Sequence, residues 1–271
     1  MTRLRVGFVG LGSQGGPMAR RIVEDGFPTT LWARRRESLQ PFADTGAAVA
    51  ADRRALGVAS EVLCLCVVGD SDVDEVLRGD HGALAGMADG GIVVIHSTVH
   101  PATCRRLQDD FPRLRIVDAP VSGGGRLAAA RALLVMVGGD HAAVDRCRPV
   151  LETFANPLVH LGGLGAGQVA KLLNNALFSA HLGLAASVFT VADELGVDKE
   201  ALTEVLAKGS GRSYGAEVVG GSGHSLSVMA QLAGSLLAKD VDILADLVGR
   251  ESAEVVRVAT HTIGAMNLGT R

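Results

Sequence analysis

An apolar run, Arg5-Val6-Gly7-Phe8-Val9, leads directly into Gly10-Leu11-Gly12-Ser13-Gln14-Gly15, and then into Gly16-Pro17-Met18-Ala19. The pattern is G-x-G-x-x-G, set between a strand and a helix start. Alone, the hexapeptide is a weak signal in a chain with 35 glycines. Its place on the first strand gives it force. The glycines permit a sharp turn and close backbone approach to a pyrophosphate. The helix behind them aims unpaired N–H groups at that anion. The plainer alternative is a glycine turn that only packs a helix tightly on a strand. The expectation is a dinucleotide site built from Gly10, Leu11, Gly12, Ser13, Gln14 and Gly15.

Beyond this turn, β-rich and helical runs alternate. Strands are expected at residues 5–9, 29–33, 62–68, 91–95, 115–117, 133–137 and 157–161. Helical stretches such as Pro17–Asp25 and Asp72–Leu77 lie between the early ones. Alternation of this kind implies parallel strands joined by crossover helices, a Rossmann arrangement. Near Gly162-Gly163-Leu164-Gly165-Ala166-Gly167 the pattern becomes helical and remains so. The expected organisation is therefore α/β: a Rossmann domain over residues 1–161, then an all-α domain over 162–271 entered through a long interdomain helix. Val67, at the end of the third run, is counted with the cofactor-binding positions.

Composition narrows the partners. The chain has 271 residues, 48% of them hydrophobic and 20% charged, a globular balance with ample core. A net charge of −3 offers no general attraction to nucleic acid, and 3% aromatics leave little surface for base stacking. The first strand begins within a few residues of Met1, which leaves no room for a signal peptide, so a cytoplasmic location is expected. Cys64 and Cys66 lie in a run that reads as a buried strand, and Cys104 and Cys147 are isolated. Buried apolar roles suit them better than zinc. Residues 172–192 carry no charge and could span a bilayer by length. Asn174, Asn175, Ser179 and His181 within the run favour a helix buried in protein or between subunits instead. Asp70-Ser71-Asp72-Val73-Asp74-Glu75 resembles the start of a calcium loop, but lacks the glycine and terminal glutamate of one, and reads as a capped helix start. His96 and His100 do not share a helical face, since Pro101 and a strand intervene. No metal site is expected.

Three further stretches carry chemistry. The second strand should end with the residue that reads the adenosine ribose; an acid there favours NAD, while basic residues accommodate the NADP phosphate. Here Thr29-Thr30-Leu31-Trp32-Ala33 runs into Arg34-Arg35-Arg36 before Glu37. Arg34 and Arg35 are thus candidates for an NADP phosphate, with NAD still possible; solvated arginines at a helix start are the plain reading. Asp118-Ala119-Pro120-Val121-Ser122-Gly123-Gly124-Gly125 follows a strand end, where open α/β sheets bind ligands. Its uncovered N–H groups and serine hydroxyl suit a carboxylate, although a flexible loop would look the same. Finally, Gly165-Ala166-Gly167-Gln168-Val169-Ala170-Lys171-Leu172-Leu173-Asn174-Asn175 puts a lysine and two amides on the first turns of a helix. Such a lysine is costly to bury unless paired or functional, and snorkelling is its ordinary alternative.

Together these motifs resemble the 3-hydroxyisobutyrate dehydrogenase-like family of β-hydroxyacid dehydrogenases. The residues concerned are Gly7 to Ala19, Ser97-Thr98-Val99, Asp118 to Gly124, Lys171 with Asn174 and Asn175, and Lys239-Asp240. The resemblance implies that Lys171 is the catalytic acid/base and that Asn175 orients the substrate. It also implies that Ser122, Gly123 and Gly124, with Asn174, hold the substrate. Ser97 and Thr98 would lie near the nicotinamide, and Lys239 near cofactor and substrate. Hydride would pass between nicotinamide and the carbon bearing the hydroxyl, with a cationic neighbour such as Lys239 lowering the lysine's affinity for protons. The chain departs from the family at Ser13-Gln14, at Ala132 and over Asp246–Arg271. Alternatives are an imine reductase-like enzyme, a 6-phosphogluconate dehydrogenase and a non-catalytic NADP-binding protein. Retention of Lys171 and the presence of Asn174 favour hydroxy acids. A homodimer or homotetramer acting on a small-molecule substrate is expected.

Overall fold

The structure, a computed structural model, describes residues 3–249 and 253–268. The chain divides into two compact units, Met1–Lys171 and Leu172–Arg271.

In the first unit, β1 (Val6–Val9), β2 (Thr29–Trp32), β3 (Ala48–Val49), β4 (Val62–Leu65), β5 (Ile92–Ile95) and β6 (Arg115–Asp118) form one parallel sheet in the order 3-2-1-4-5-6. This is the Rossmann order, with its reversal between β1 and β4. The residues of β1, β4 and β5 are buried throughout, as parallel strands covered on both faces must be. α1 (Gly15–Glu24) packs Met18, Ala19 and Ile22 on one face of the sheet. α2 (Arg53–Val58), α3 (Asp70–Leu77), α4 (Ala83–Gly86) and α5 (Pro101–Asp110) contribute Leu56, Val73, Leu77, Leu84, Cys104 and Leu107 to the core of the other.

The expected strands at 133–137 and 157–161 exist as β8 (Leu133–Val137) and β9 (Ala155–His160), but they do not extend the main sheet. With β7 (Val121–Ser122) they form a separate three-stranded sheet, β7 antiparallel to β8 and β8 parallel to β9. α6 (Gly124–Ala129) is too short to carry a parallel crossover from β7, so the chain returns antiparallel; α7 (His141–Leu151) provides a full crossover from β8 to β9. A further difference lies at Asp70. It does not cap its own helix; its carboxylate accepts from His100 N–H at 3.1 Å and from the Thr103 hydroxyl at 2.5 Å, so it serves the start of α5. All four cysteines are free thiols.

α8 (Ala166–Glu194) begins in the first unit and supplies the first helix of the second. By length and composition it could cross a membrane, and 44% of its apolar window is buried. In the second unit it is followed by α9 (Lys199–Lys208), α10 (Tyr214–Gly220), α11 (Ser227–Val248) and α12 (Glu254–Leu268). Leu172, Ala176, Val241, Leu244, Val256 and Ala259 form one core of that unit.

Candidate active site

The turn after β1 has a division of labour among its glycines. Gly10 has φ +93°, and a Cβ there would lie 2.1 Å from the Cys66 carbonyl oxygen. A Cβ on Gly15 would lie 2.0 Å from the Gly10 carbonyl oxygen. Both are required by the fold itself. Gly12 differs: a Cβ there would meet nothing within 4 Å. No protein neighbour demands a glycine at that point, so the exposed backbone faces open space. Behind it α1 starts at Gly15 with no side-chain cap from Gln14; Gly16 N–H donates to the Gly12 carbonyl at 2.8 Å and Pro17 has no N–H, which leaves Gly15 N–H as the first-turn donor for an outside acceptor. An uncovered backbone and an uncapped helix start fit a pyrophosphate. Leu11 and Gln14 are half-buried and Ser13 is exposed.

The other cofactor positions sit at neighbouring strand ends. Val67 follows β4 and Ser97 follows β5, and the Val67 N–H donates to Ser97 Oγ at 2.8 Å. Ser97 is buried and Thr98 half-buried. Arg34 and Arg35 follow β2 and are exposed; Arg34 pairs with Glu75 at 3.7 Å. Arg53 also reaches Glu75, at 3.4 Å, and stacks over Trp32.

Ser122 lies in β7, and Gly123 and Gly124 form the turn into α6 with φ +128° and +70°. This loop abuts the dinucleotide turn: a Cβ on Gly125 would sit 2.1 Å from the Ser13 carbonyl oxygen. Lys171 is half-buried on α8. Asp118, at the end of β6, accepts from the N–H groups of Gly165 and Gln168 at the head of that helix. Neither Asp118 nor Gln168 is among the site residues expected from sequence. The signal was a charged residue closing a buried strand, which must find partners.

In the second unit Asn174 Nδ2 donates to Asn175 Oδ1 at 3.1 Å, and Asn175 Nδ2 donates to Asp240 Oδ2 at 2.6 Å. Lys239 Nζ is 2.8 Å from Asp240 Oδ1, as an ion pair rather than an aligned hydrogen bond. Thus Asp240, only 3% exposed, gathers the expected Asn174, Asn175 and Lys239 into one network.

Burial dominates the shifts of three groups in the first unit, Asp118, Cys66 and His96. It pushes the Asp118 carboxyl up, opposed by the N–H groups of Gly165, Gln168 and Gly167. It pushes Cys66 up to about 12, which keeps that thiol protonated beside the turn. His96, stacked on Phe8 and edge-on to Phe154, is lowered to about 4 by burial, against the opposing effect of its bond to the Ala119 carbonyl.

Residues 5–162 match the NAD binding domain of 6-phosphogluconate dehydrogenase, and residues 165–266 match the family described as NAD-binding of NADP-dependent 3-hydroxyisobutyrate dehydrogenase. The 3-hydroxyisobutyrate dehydrogenase of Pseudomonas aeruginosa is 32% identical over 211 residues, covering 77% of this chain and 71% of that protein. Among solved structures, the 3-hydroxyisobutyrate dehydrogenase of Mycobacterium tuberculosis with L-serine superimposes with a TM-score of 0.84 at 25% identity, covering 99% of this chain and 94% of that one. Psf3 in complex with NADP+ and 2-OPP gives a TM-score of 0.85 at 29% identity, covering 97% and 94%.

Proposed function

The chain belongs to the 3-hydroxyisobutyrate dehydrogenase-like family of β-hydroxyacid dehydrogenases, and from that premise we propose that it oxidises a small carboxylate-bearing hydroxy acid, or reduces the matching semialdehyde, preferring NADP(H). It is an NAD(P)-dependent oxidoreductase acting on CH–OH groups. The observation that carries the substrate class is the abutment of the Ser122–Gly124 loop on the dinucleotide turn at Ser13. An anion-binding loop beside a dinucleotide turn suits a substrate whose carboxylate lies near its reacting carbon.

When bound, the nicotinamide gives or takes the hydride. The Gly12 backbone and the open start of α1 take the pyrophosphate. Arg34 and Arg35 take the 2′-phosphate, with Val67, Ser97, Thr98 and Lys239 as further cofactor contacts. Ser122, Gly123 and Gly124 hold the substrate carboxylate by their N–H and hydroxyl groups, with Asn174 assisting. Lys171 Nζ gives or takes the hydroxyl proton, and Asn175 orients the hydroxyl. A cytoplasmic homodimer or homotetramer, with no nucleic-acid or membrane partner, completes the reading.

Hydrogen bonds to a charged group are worth about 1.5–3 kcal/mol each, so loss of the carboxylate should cost at least about tenfold in kcat/KM. The test compares 3-hydroxyisobutyrate and L-serine with their methyl esters, using NADP+ and NAD+ in turn. Similar kcat/KM for acid and ester rejects carboxylate anchoring and returns the imine-reductase alternative.

A further inference from the structure

We propose that Asp118 and Gln168 are positioning residues that lock the head of α8, and with it Lys171, to the Ser97–Val99 turn. The inference rests on reading Lys171 as the acid/base and Ser97–Thr98 as lying beside the nicotinamide. It adds the device that holds the two in register.

The first turn of a helix has four N–H groups without intrahelical partners. α8 is preceded by Leu164-Gly165, which offer no capping side chain. A distant carboxylate does the work instead. Asp118 is wholly buried, and its two oxygens accept from Gly165 N–H at 2.6 Å and Gln168 N–H at 2.7 Å. The anion also complements the positive end of the helix dipole. Because Asp118 belongs to β6, paired along its length to β5, this cap is anchored in the sheet.

Gln168 makes the second link. It too is wholly buried; its Oε1 accepts from Val99 N–H at 3.0 Å, and its Nε2 donates to the Ser97 carbonyl at 2.9 Å. One amide thus grips the backbone on both sides of Thr98. The Ser97 hydroxyl in turn accepts from Val67 N–H, which ties in the end of β4. Lys171 stands three residues after Gln168, about 4.5 Å further along the helix axis.

The joint has no slack. A Cβ on Gly138 would lie 2.5 Å from Asp118 Oδ1 and 2.8 Å from Ala166 N. A Cβ on Gly167 would lie 2.3 Å from the Met136 carbonyl oxygen and 2.9 Å from Asp118 Oδ2. Two backbones close around the carboxylate at distances that only glycine allows. Simple fold glue would need the buried bonds, but would not need them to converge on the turn flanking Thr98 and on the helix turn that precedes Lys171.

The two roles differ in what they change. Glue sets how many molecules are folded; positioning sets the rate of the hydride step in each folded molecule. A displacement of about 1 Å in a reacting group can cost about 100-fold. Gln168→Met keeps length and loses both bonds, and Asp118→Asn keeps shape and loses the charge. Each is compared with wild type and with Lys171→Ala, using 3-hydroxyisobutyrate and L-serine, protonated or deuterated at the reacting carbon. Active sites are counted by NADPH fluorescence titration, and amide hydrogen exchange is followed in parallel. Per active site, kcat should fall by about 30- to 100-fold, with KM changed by less than about threefold. The deuterium isotope effect on kcat should rise, and the Val99 amide in Gln168→Met should exchange faster while those of β1 and β4 do not. Wild-type kcat per active site, an unchanged isotope effect, or unchanged Val99 exchange overturns the inference. Lys171→Ala retaining turnover sinks the acid/base reading. Lys171→Ala inactive with Gln168→Met unimpaired sinks the positioning role alone.

Discussion

At the scale of the residue, identical glycines in one motif answer to different demands, and this separates cofactor binding from folding. Gly10 is held by its φ and by the Cys66 carbonyl, whereas Gly12 has open space where a Cβ would go. Gly12→Ala should therefore weaken NADPH binding by at least about tenfold, by blocking N–H bonds to an anion. It should leave Tm within about 2 °C of wild type, as expected for a substitution that strains nothing. Gly10→Ala should lower Tm well before binding can be measured. Fluorescence titration alongside thermal melts checks both; equal cofactor affinity in Gly12→Ala would deny the turn its role. His96 carries a pH dependence. Its folded value of about 4 lies below the ordinary 6.5, so the unfolded chain binds the extra proton between them. Stability is then full above about pH 6.5 and falls as pH drops toward 4, by about 3 kcal/mol in all. Urea unfolding at pH 7.5 and 5 should show the loss. His96→Gln, which can still donate to Ala119 but does not titrate, should flatten it. An acid limb unchanged in that variant would assign the loss to other groups.

At the scale of the element, the sequence marks positions where burial and turn chemistry coincide. β1, β4 and β5 are legible as apolar runs, those of β1 and β5 stopping at Gly10 and His96 while that of β4 runs on to Val68, three residues past the strand; α1 is legible because Met18, Ala19 and Ile22 recur at helical spacing. The strand at Ala48–Val49 is not legible: both residues are exposed and only pairing to β2 makes them a strand. β7 is equally short, and its partner lies beyond a helix, so local pattern could not show that a second sheet begins there. The same limit hid the roles of Asp118 and Asp240, whose hydrogen-bond partners are 47 to 65 residues away. The end of β2 was legible as a basic run. Arg34 is exposed, and its pair with Glu75 at 3.7 Å is the kind worth little in water, so the guanidinium can re-pair with a phosphate. Arg34→Asp should weaken NADPH binding by at least about tenfold and NADH binding by less than about threefold. Dissociation constants at fixed salt decide it, and equal losses for the two cofactors reject the 2′-phosphate contact.

At the scale of the whole molecule, α8 carries an apolar stripe that is exposed among the described residues. Leu173, Leu177, Leu184, Val188 and Val191 are all at least 43% exposed. Their spacings of four, seven, four and three residues keep them on one stripe of the helix, the pattern of a packed seam. Leu172, Ala176, Leu182 and Phe189, by contrast, are buried within the second unit. A bilayer would accept the apolar stripe, but would also have to accommodate Asn174, Asn175 and the Asp240 network on the same helix turns. A second copy of this chain would cover the stripe without that cost. A two-fold contact would set the same stripe against itself, and a run of Leu and Val is self-complementary. Sedimentation at micromolar concentration should therefore show a dimer or tetramer. Leu177→Glu with Leu184→Glu would place opposed carboxylates in the seam and should give a monomer, with NADPH affinity retained. A monomeric wild type, or an oligomer indifferent to both glutamates, would mean that something other than a second α8 covers this face.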